Sequence, residues 1–268
     1  MAGQVHFEKK DGVATLTLDN PKARNAFDYE MTQELRRRWA EISGDPEVVC
    51  AIVTGAGDKA FCTGWDITST ATGESLKFAK VARKDAPYSQ ITALQNQCWK
   101  PVITAVNGMC VGGGLHFVAD SDLVIACETA TFFDTHCEVG LVAALEPVGL
   151  ARKIPLDAVF RMMLLGSAER MSAARAREIG LVGEVLPAAK LMERARELAG
   201  ILARYSPTAL AHTKRAIWRS LDHGLEEGLD VAYRELEEHI EHGDMVEGTK
   251  AFLEKRKPKW APYTGGHE

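Results

Sequence analysis

Three short segments hold the residues whose types and spacing can do chemistry: Phe61–Ile67 (FCTGWDI), Asn107–Gly114 (NGMCVGGG) and Asp134–Gly140 (DTHCEVG). The first two each send an expected strand into a glycine-bearing turn, where main-chain N–H groups can be left without ladder partners. Gly112, Gly113 and Gly114 carry no Cβ to hold a ligand away from the main chain. They also open an apolar helical segment, so their N–H groups lie at its positive end. Two N–H donors from different turns can converge on one oxygen and stabilise it as it becomes anionic. The third segment offers His136 in a polar turn, and His116 lies two residues beyond the triplet. Imidazole transfers protons readily near neutral pH. A histidine base needs an orienting carboxylate, and Asp134, Glu138 and Glu146 are the nearby candidates. Trp65 sets a bulky indole beside the first turn, where it can narrow a pocket, stack on an acyl or aromatic group, or fill core volume.

The elements that must position these residues can be read from periodicity. Val13–Leu18 is rich in β-branched residues and bounded by Gly12 and Asp19-Asn20-Pro21, which predicts a strand. Met31, Leu35, Trp39 and Ile42 recur at helical spacing until Gly44-Asp45-Pro46. Val48–Thr54 is a continuous apolar run, as in a strand covered on both faces. Residues 66–86 read as a long connection, 88–99 as a helix, and 101–106, 123–126 and 130–133 as strands. This alternation predicts an α/β fold with a largely parallel sheet. The last third is helical. Leu191, Ala195, Leu198, Leu202 and Tyr205 form one stripe, and Leu225, Leu229, Ala232, Leu236 and Ile240 another; 246–256 is a final helix. Ser206-Pro207 reads as an N-cap followed by proline at the first helical position.

Composition narrows the function classes. The chain has 268 residues, enough to bury a large core without disulfide or metal staples. A net charge of −5 argues against general nucleic-acid binding. The basic run Lys255-Arg256-Lys257-Pro258-Lys259 reads either as a solvated helix end or as a small phosphate-binding patch. Six cysteines without a CxxC pair, mostly in apolar runs, point to buried free thiols in a reducing compartment. No metal constellation stands out, and Gly55-Ala-Gly57 lacks the third glycine of a dinucleotide fingerprint. The N-terminal residues have no apolar signal core, and no apolar run is long enough to span a bilayer, so the expectation is a cytoplasmic protein without a membrane partner.

Taken together, the stretches NPKARNAF, IVTGAGDKAFCTGWDI, PVITAVNGMCVGGGLHFVADSDLVIA, RMMLLGSAERMSAARAREIGLVGEVLP and EGTKAFLEKRKPKW resemble the crotonase (enoyl-CoA hydratase/isomerase) superfamily over nearly the whole chain. The resemblance implies an α/β fold with a crotonase-type ββα spiral core over residues 1–190 and a helical C-terminal trimerisation region over 191–268. It implies an acyl-CoA substrate, with coenzyme A arriving as part of that substrate and no tightly bound cofactor. A homotrimer or a dimer of trimers is expected. The family's oxyanion hole, two backbone N–H groups on the thioester oxygen, falls on Trp65 and Gly113. Coenzyme A contacts fall on Lys22, Arg24, the Ala26 backbone, Asp66 and Ile67, and on Phe252 and Lys255 in the closing segment. Arg24 departs from the family pattern, which has an apolar residue there.

The resemblance breaks at the proton-transfer positions. Hydratases of the family use two glutamates, and both places are histidine here, His116 and His136. The expectation is therefore an enoyl-CoA hydratase/isomerase-like lyase or isomerase in which His136, helped by Glu146 or His116, moves the proton. Glu146 lies where a carboxylate serves as base in some of the family's double-bond isomerases. Two rival readings stay open at this point: a carbon–carbon hydrolase of the β-diketone type using a His–carboxylate pair, and a non-catalytic acyl-CoA-binding member.

Overall fold

The computed structural model describes residues 3–66, 68 and 90–265. Ile67 and most of the long 66–86 connection lie outside the described residues. Two sheets form the core. The larger takes β1 (Gln4–Lys10), β2 (Val13–Asp19), β3 (Cys50–Gly55), β5 (Val102–Val106), β7 (Leu123–Cys127) and β10 (Glu184–Leu186), in that order. The smaller takes β4 (Ala60–Cys62), β6 (Met109–Val111), β8 (Thr131–Phe133) and β9 (Met171–Ser172). Pairing is parallel except for the hairpin β1/β2 and the short pair β8/β9. The expectation of a largely parallel sheet holds. β1 was not anticipated, because its alternation of Val5 and Phe7 among polar residues covers only seven residues.

Three ββ units recur: β3 with β4, β5 with β6, β7 with β8. The first strand of each enters the large sheet and the second the small one. Every residue of β3 and β5 is buried, which explains their uninterrupted apolar runs. Helix α1 (Tyr29–Gly44) starts at Asp28, whose carboxylate accepts the Met31 N–H, and buries Met31, Leu35, Trp39 and Ile42 as its spacing predicts. After β6 the glycine triplet makes one 3-10 turn into α2 (Leu115–Ala119), which is wholly buried. Beyond β8 come α3 (Glu146–Leu150), α4 (Leu156–Leu165) and α5 (Ala173–Glu178).

The helix expected over 88–99 is not formed across its described part, 90–99, which holds a single 3-10 turn, Leu94–Asn96. Side chains there capture the main chain and outcompete the helical ladder. Asn96 Nδ2 donates to the carbonyls of Gln90 and Thr92, each at 2.7 Å, and the Ile91 N–H donates to Gln95 Oε1 at 3.0 Å. Gln90 and Gln97 take left-handed φ of 56° and 53°. Trp39 pins the segment to α1 by donating to the Ile91 carbonyl at 2.8 Å.

The C-terminal part is α6 (Ala188–Leu202), α7 (Pro207–Ser220), α8 (Leu225–Ile240) and α9 (Gly243–Leu253). Ser206 caps α7 and Pro207 opens it, as read from the sequence, but Tyr205 lies beyond the end of α6 and is exposed. Helix α8 departs further from a simple amphipathic reading. Its apolar stripe faces outward, with Leu225 83% and Leu229 62% exposed, while Glu235 is buried against α7 and held by Arg215 at 2.6 Å. Among the described residues, no helix is long and apolar enough to cross a membrane.

Candidate active site

All three motif segments leave the carboxyl ends of neighbouring strands in the small sheet. Cys62 of β4 lies beside Cys110 of β6, and Val111 of β6 beside Phe133 of β8. The first turn continues from Cys62, the glycine triplet from Val111, and the DTH turn from Phe133. Parallel pairing thus delivers the three to one edge, where open α/β sheets commonly bind ligands.

The first two turns touch through bare backbone. Gly64 takes φ +86°, and a Cβ built on it would stand 2.7 Å from the Gly113 nitrogen and 3.1 Å from the Val111 carbonyl oxygen. Only glycine allows both that conformation and that approach. Phe27 bridges Trp65 in parallel: its N–H donates to the Gly64 carbonyl at 2.8 Å, and its own carbonyl accepts the Asp66 N–H at 2.9 Å. In this pattern the flanking peptides serve the bridge, so the main-chain N–H of Trp65 projects away from Phe27. A Cβ on Gly113 would meet Phe27 Cζ at 3.0 Å. The Trp65 indole packs edge-on against Phe27 at 5.9 Å, and Phe27 against Phe117 at 6.5 Å. Trp65 therefore joins an aromatic stack that shapes the turns and packs against the core.

His136 leans over the triplet: a Cβ on Gly112 would lie 3.6 Å from its Cε1. Asp134, wholly buried, accepts the His136 main-chain N–H on one oxygen and meets ring Nδ1 with the other, each at 2.7 Å. That fixes the Nδ1 proton toward Asp134 and leaves Nε2 as the reactive nitrogen. The Asp134 hydrogen bond holds the imidazole above its ordinary pKa. Burial opposes the shift, and the negative charges of Asp134 and Glu146 add to it.

The other two carboxylates part company. Glu138 turns away and accepts from Ser167 Oγ at 3.0 Å and from the Ser167 N–H. Glu146, 6% exposed, faces the site, with Oε1 3.3 Å from His116 Nε2. His116 is equally buried, and its Nδ1 lies 3.2 Å from Gln95 Nε2. A cavity of about 700 Å³ borders this group, lined in part by Gln95, His116, Asp120, Leu145 and Val148. Gln95 and Asp120 were not singled out from the sequence, because nothing in their local pattern separates them from ordinary surface polar residues.

The expected coenzyme A contacts are dispersed. Lys22 and Arg24 are exposed on the turn after β2, which Thr63 ties to the first glycine turn by donating to the Ala23 carbonyl at 3.1 Å. The Ala26 N–H donates to the Ala23 carbonyl at 3.0 Å, and its carbonyl accepts from Asn20 Nδ2 at 2.9 Å. Asp66 accepts from Thr68 Oγ1 at 2.8 Å. Phe252 is 83% exposed on α9, and Lys255 lies just past its end. Arg256 in the basic run is paired with Glu247 and Glu254. His212, Glu235 and Glu238 converge within 4.8 Å, a spacing open to a metal, but the Arg215 guanidinium already engages both carboxylates.

Two largely parallel sheets thus present touching glycine turns beside a carboxylate-held imidazole. The chain belongs to the enoyl-CoA hydratase/isomerase family, whose profile matches residues 8–262. It is 36% identical to an (E)-benzylidenesuccinyl-CoA hydratase from Thauera aromatica, covering 95% of this chain and 97% of that protein. Identity to a carnitinyl-CoA dehydratase from Proteus mirabilis is 32%, covering 97% and 99%. A crystal structure of an enoyl-CoA hydratase/isomerase from Mycobacterium paratuberculosis superposes with a TM-score of 0.89 at 39% identity, covering 96% of this chain and 97% of that one. The Bacillus anthracis enoyl-CoA hydratase superposes at 0.86 with 29% identity, covering 99% and 100%. The crotonase fold and an enzyme of the hydratase/isomerase type follow, and the family works on coenzyme A thioesters.

Proposed function

We propose that this enzyme adds water reversibly across the α,β double bond of a 2-enoyl-CoA thioester. The observation that carries the reading is the Asp134–His136 pair set against the glycine triplet. The main-chain N–H groups of Trp65 and Gly113 hold the thioester oxygen while enolate charge builds on it. His136, biased toward imidazolium by Asp134, gives its proton to Cα; Glu146 takes a proton from the water that adds to Cβ. The two groups stand on different segments, so acid and base roles are divided between separate side chains. Two relatives act on coenzyme A esters by adding or removing water, which favours hydration over other family reactions.

In the same reading, Lys22 and Arg24 meet the phosphates of coenzyme A, the Ala26 backbone meets its nucleotide arm, Asp66 is a further contact, as is Ile67, which lies outside the described residues, and Phe252 with Lys255 closes over coenzyme A from another subunit. Residues 191–268 supply the oligomer contact, as a trimer or a pair of trimers. The test is turnover of a panel of crotonyl-, octenoyl- and cinnamoyl-CoA, followed by loss of the conjugated thioester absorbance. His136→Ala is expected to lower kcat by about 100-fold or more while coenzyme A binding persists. If His136→Ala and Glu146→Gln both turn over at the wild-type rate, the reading fails.

A further inference from the structure

The roles above leave a buried imidazole, His116, without a task of its own. Its surroundings fix which nitrogen carries the proton. The Ile91 N–H donates to Gln95 Oε1 at 3.0 Å, so the NH₂ end of that amide faces His116 Nδ1 at 3.2 Å. An NH₂ group donates and cannot accept. Nδ1 must therefore carry the lone pair, and the proton sits on Nε2, 3.3 Å from Glu146 Oε1. A proton on Nδ1 would set N–H against N–H.

Gln95 is itself held in place. Its amide also reaches the Asp120 carboxyl, which accepts the Thr92 hydroxyl at 2.7 Å. Trp39 fixes the backbone beside it through the Ile91 carbonyl. Asp120 closes α2, the helix that carries His116. Residues from the 90–97 segment, α2 and α3 thus form one file: Thr92, Asp120, Gln95, His116, Glu146.

We propose that Gln95, backed by Asp120, is a positioning residue that keeps His116 neutral with its proton on Nε2. His116 then serves Glu146 as a fixed dipole and is not itself the base. The reason such a device is needed is the local charge. His116 Nε2 faces Glu146 Oε1 at 3.3 Å, and Nδ1 faces the Gln95 amide, beyond which burial pushes the Asp120 carboxyl up from the usual carboxylate range. An imidazolium at this point would pair with Glu146 and blunt it as a proton acceptor. This inference rests on the acid–base roles assigned above, but its central claim, the protonation of His116, is readable without turnover.

The test uses the full chain labelled with 15N-histidine, with His116→Gln supplying the assignment. At neutral pH the wild-type His116 is expected to show an unprotonated Nδ1 and a protonated Nε2. In Gln95→Glu, Nδ1 is expected to become protonated. Gln95→Met, close in length but unable to donate, is expected to lower kcat on crotonyl-CoA about tenfold, one hydrogen bond's worth, with KM within about threefold. It should also change the shape of the pH–rate profile, which a purely structural loss would only scale down. A wild-type imidazolium, a wild-type Nδ1–H tautomer, or unchanged His116 nitrogens in Gln95→Glu would overturn the proposal. The wild-type spectrum alone decides if a variant does not fold. The expected tautomer in an enzyme inert toward every enoyl-CoA tested would sustain the positioning role and sink the hydratase reading instead.

Discussion

His136 keeps Nδ1 against a carboxylate that no solvent reaches, and the consequence is a pH dependence of defined sign. The Asp134 bond raises the imidazole pKa, with Glu146 adding to it. In the proposed role of proton donor His136 must be charged, so kcat/KM is expected to fall on the alkaline side as it deprotonates. Asp134→Asn removes the main cause of the shift, and the alkaline limb is expected to move to lower pH. A limb that stays in place would show that another group donates the proton. The same linkage acts on stability. A raised folded pKa stabilises the fold below the unfolded value and ceases to do so as pH rises through the folded one. Asp134→Asn should therefore cost more stability at pH 6 than at pH 9, read from urea midpoints. At this scale the sequence marked His116, His136, Asp134 and Glu146, but not their pairing. Asp134 holds His136 two residues away, while Glu146 meets His116 across thirty positions.

Among the elements, the ends of β4, β6 and β8 do the placing. Their turns were legible because glycine is the residue that tolerates the crowding between them. Gly64→Ala would drive a methyl group against the Gly113 nitrogen at 2.7 Å, on a residue at φ +86°. The expected cost is about 2–4 kcal/mol in chemical denaturation, with activity lost even in the folded fraction. Wild-type activity in that variant would show that the two turns need not touch. The segment 90–97 was misread for the opposite reason. Its spacing of Ile91, Leu94 and Cys98 suits a helix, but the amides of Gln95 and Asn96 bind backbone that a helix would need. That same capture sets Gln95 beside His116.

For the whole molecule, the outward face of α8 and α9 is the salient fact. Leu225, Leu229, Leu236, Val246 and Phe252 are each more than half exposed, and large apolar side chains exposed together are common at contacts between chains. The polar side of α8 is the one that packs inward, with Glu235 held by Arg215 and His212. A second copy of the chain covering this face is the arrangement proposed above. Sedimentation of the wild type is expected to give a trimer or hexamer, and Leu229→Glu with Leu236→Glu a smaller species of unchanged helicity. A wild-type monomer would remove the proposed role of residues 191–268.

The sequence by itself determined the family, the parallel strands and the glycine turns, because each depends on local rules: β-branched runs, helical spacing, and a conformation and closeness that only glycine permits. It also placed His116 and His136 at short offsets from the glycine triplet and the DTH turn, since that is a matter of residue type at a fixed spacing. Only the tertiary structure decided which carboxylate faces which histidine and which ring nitrogen each partner meets. Those outcomes depend on hydrogen-bond geometry between groups brought together from β8, α2, α3 and the 90–97 segment, and an imidazole's protonation is set by whatever donor or acceptor happens to face it.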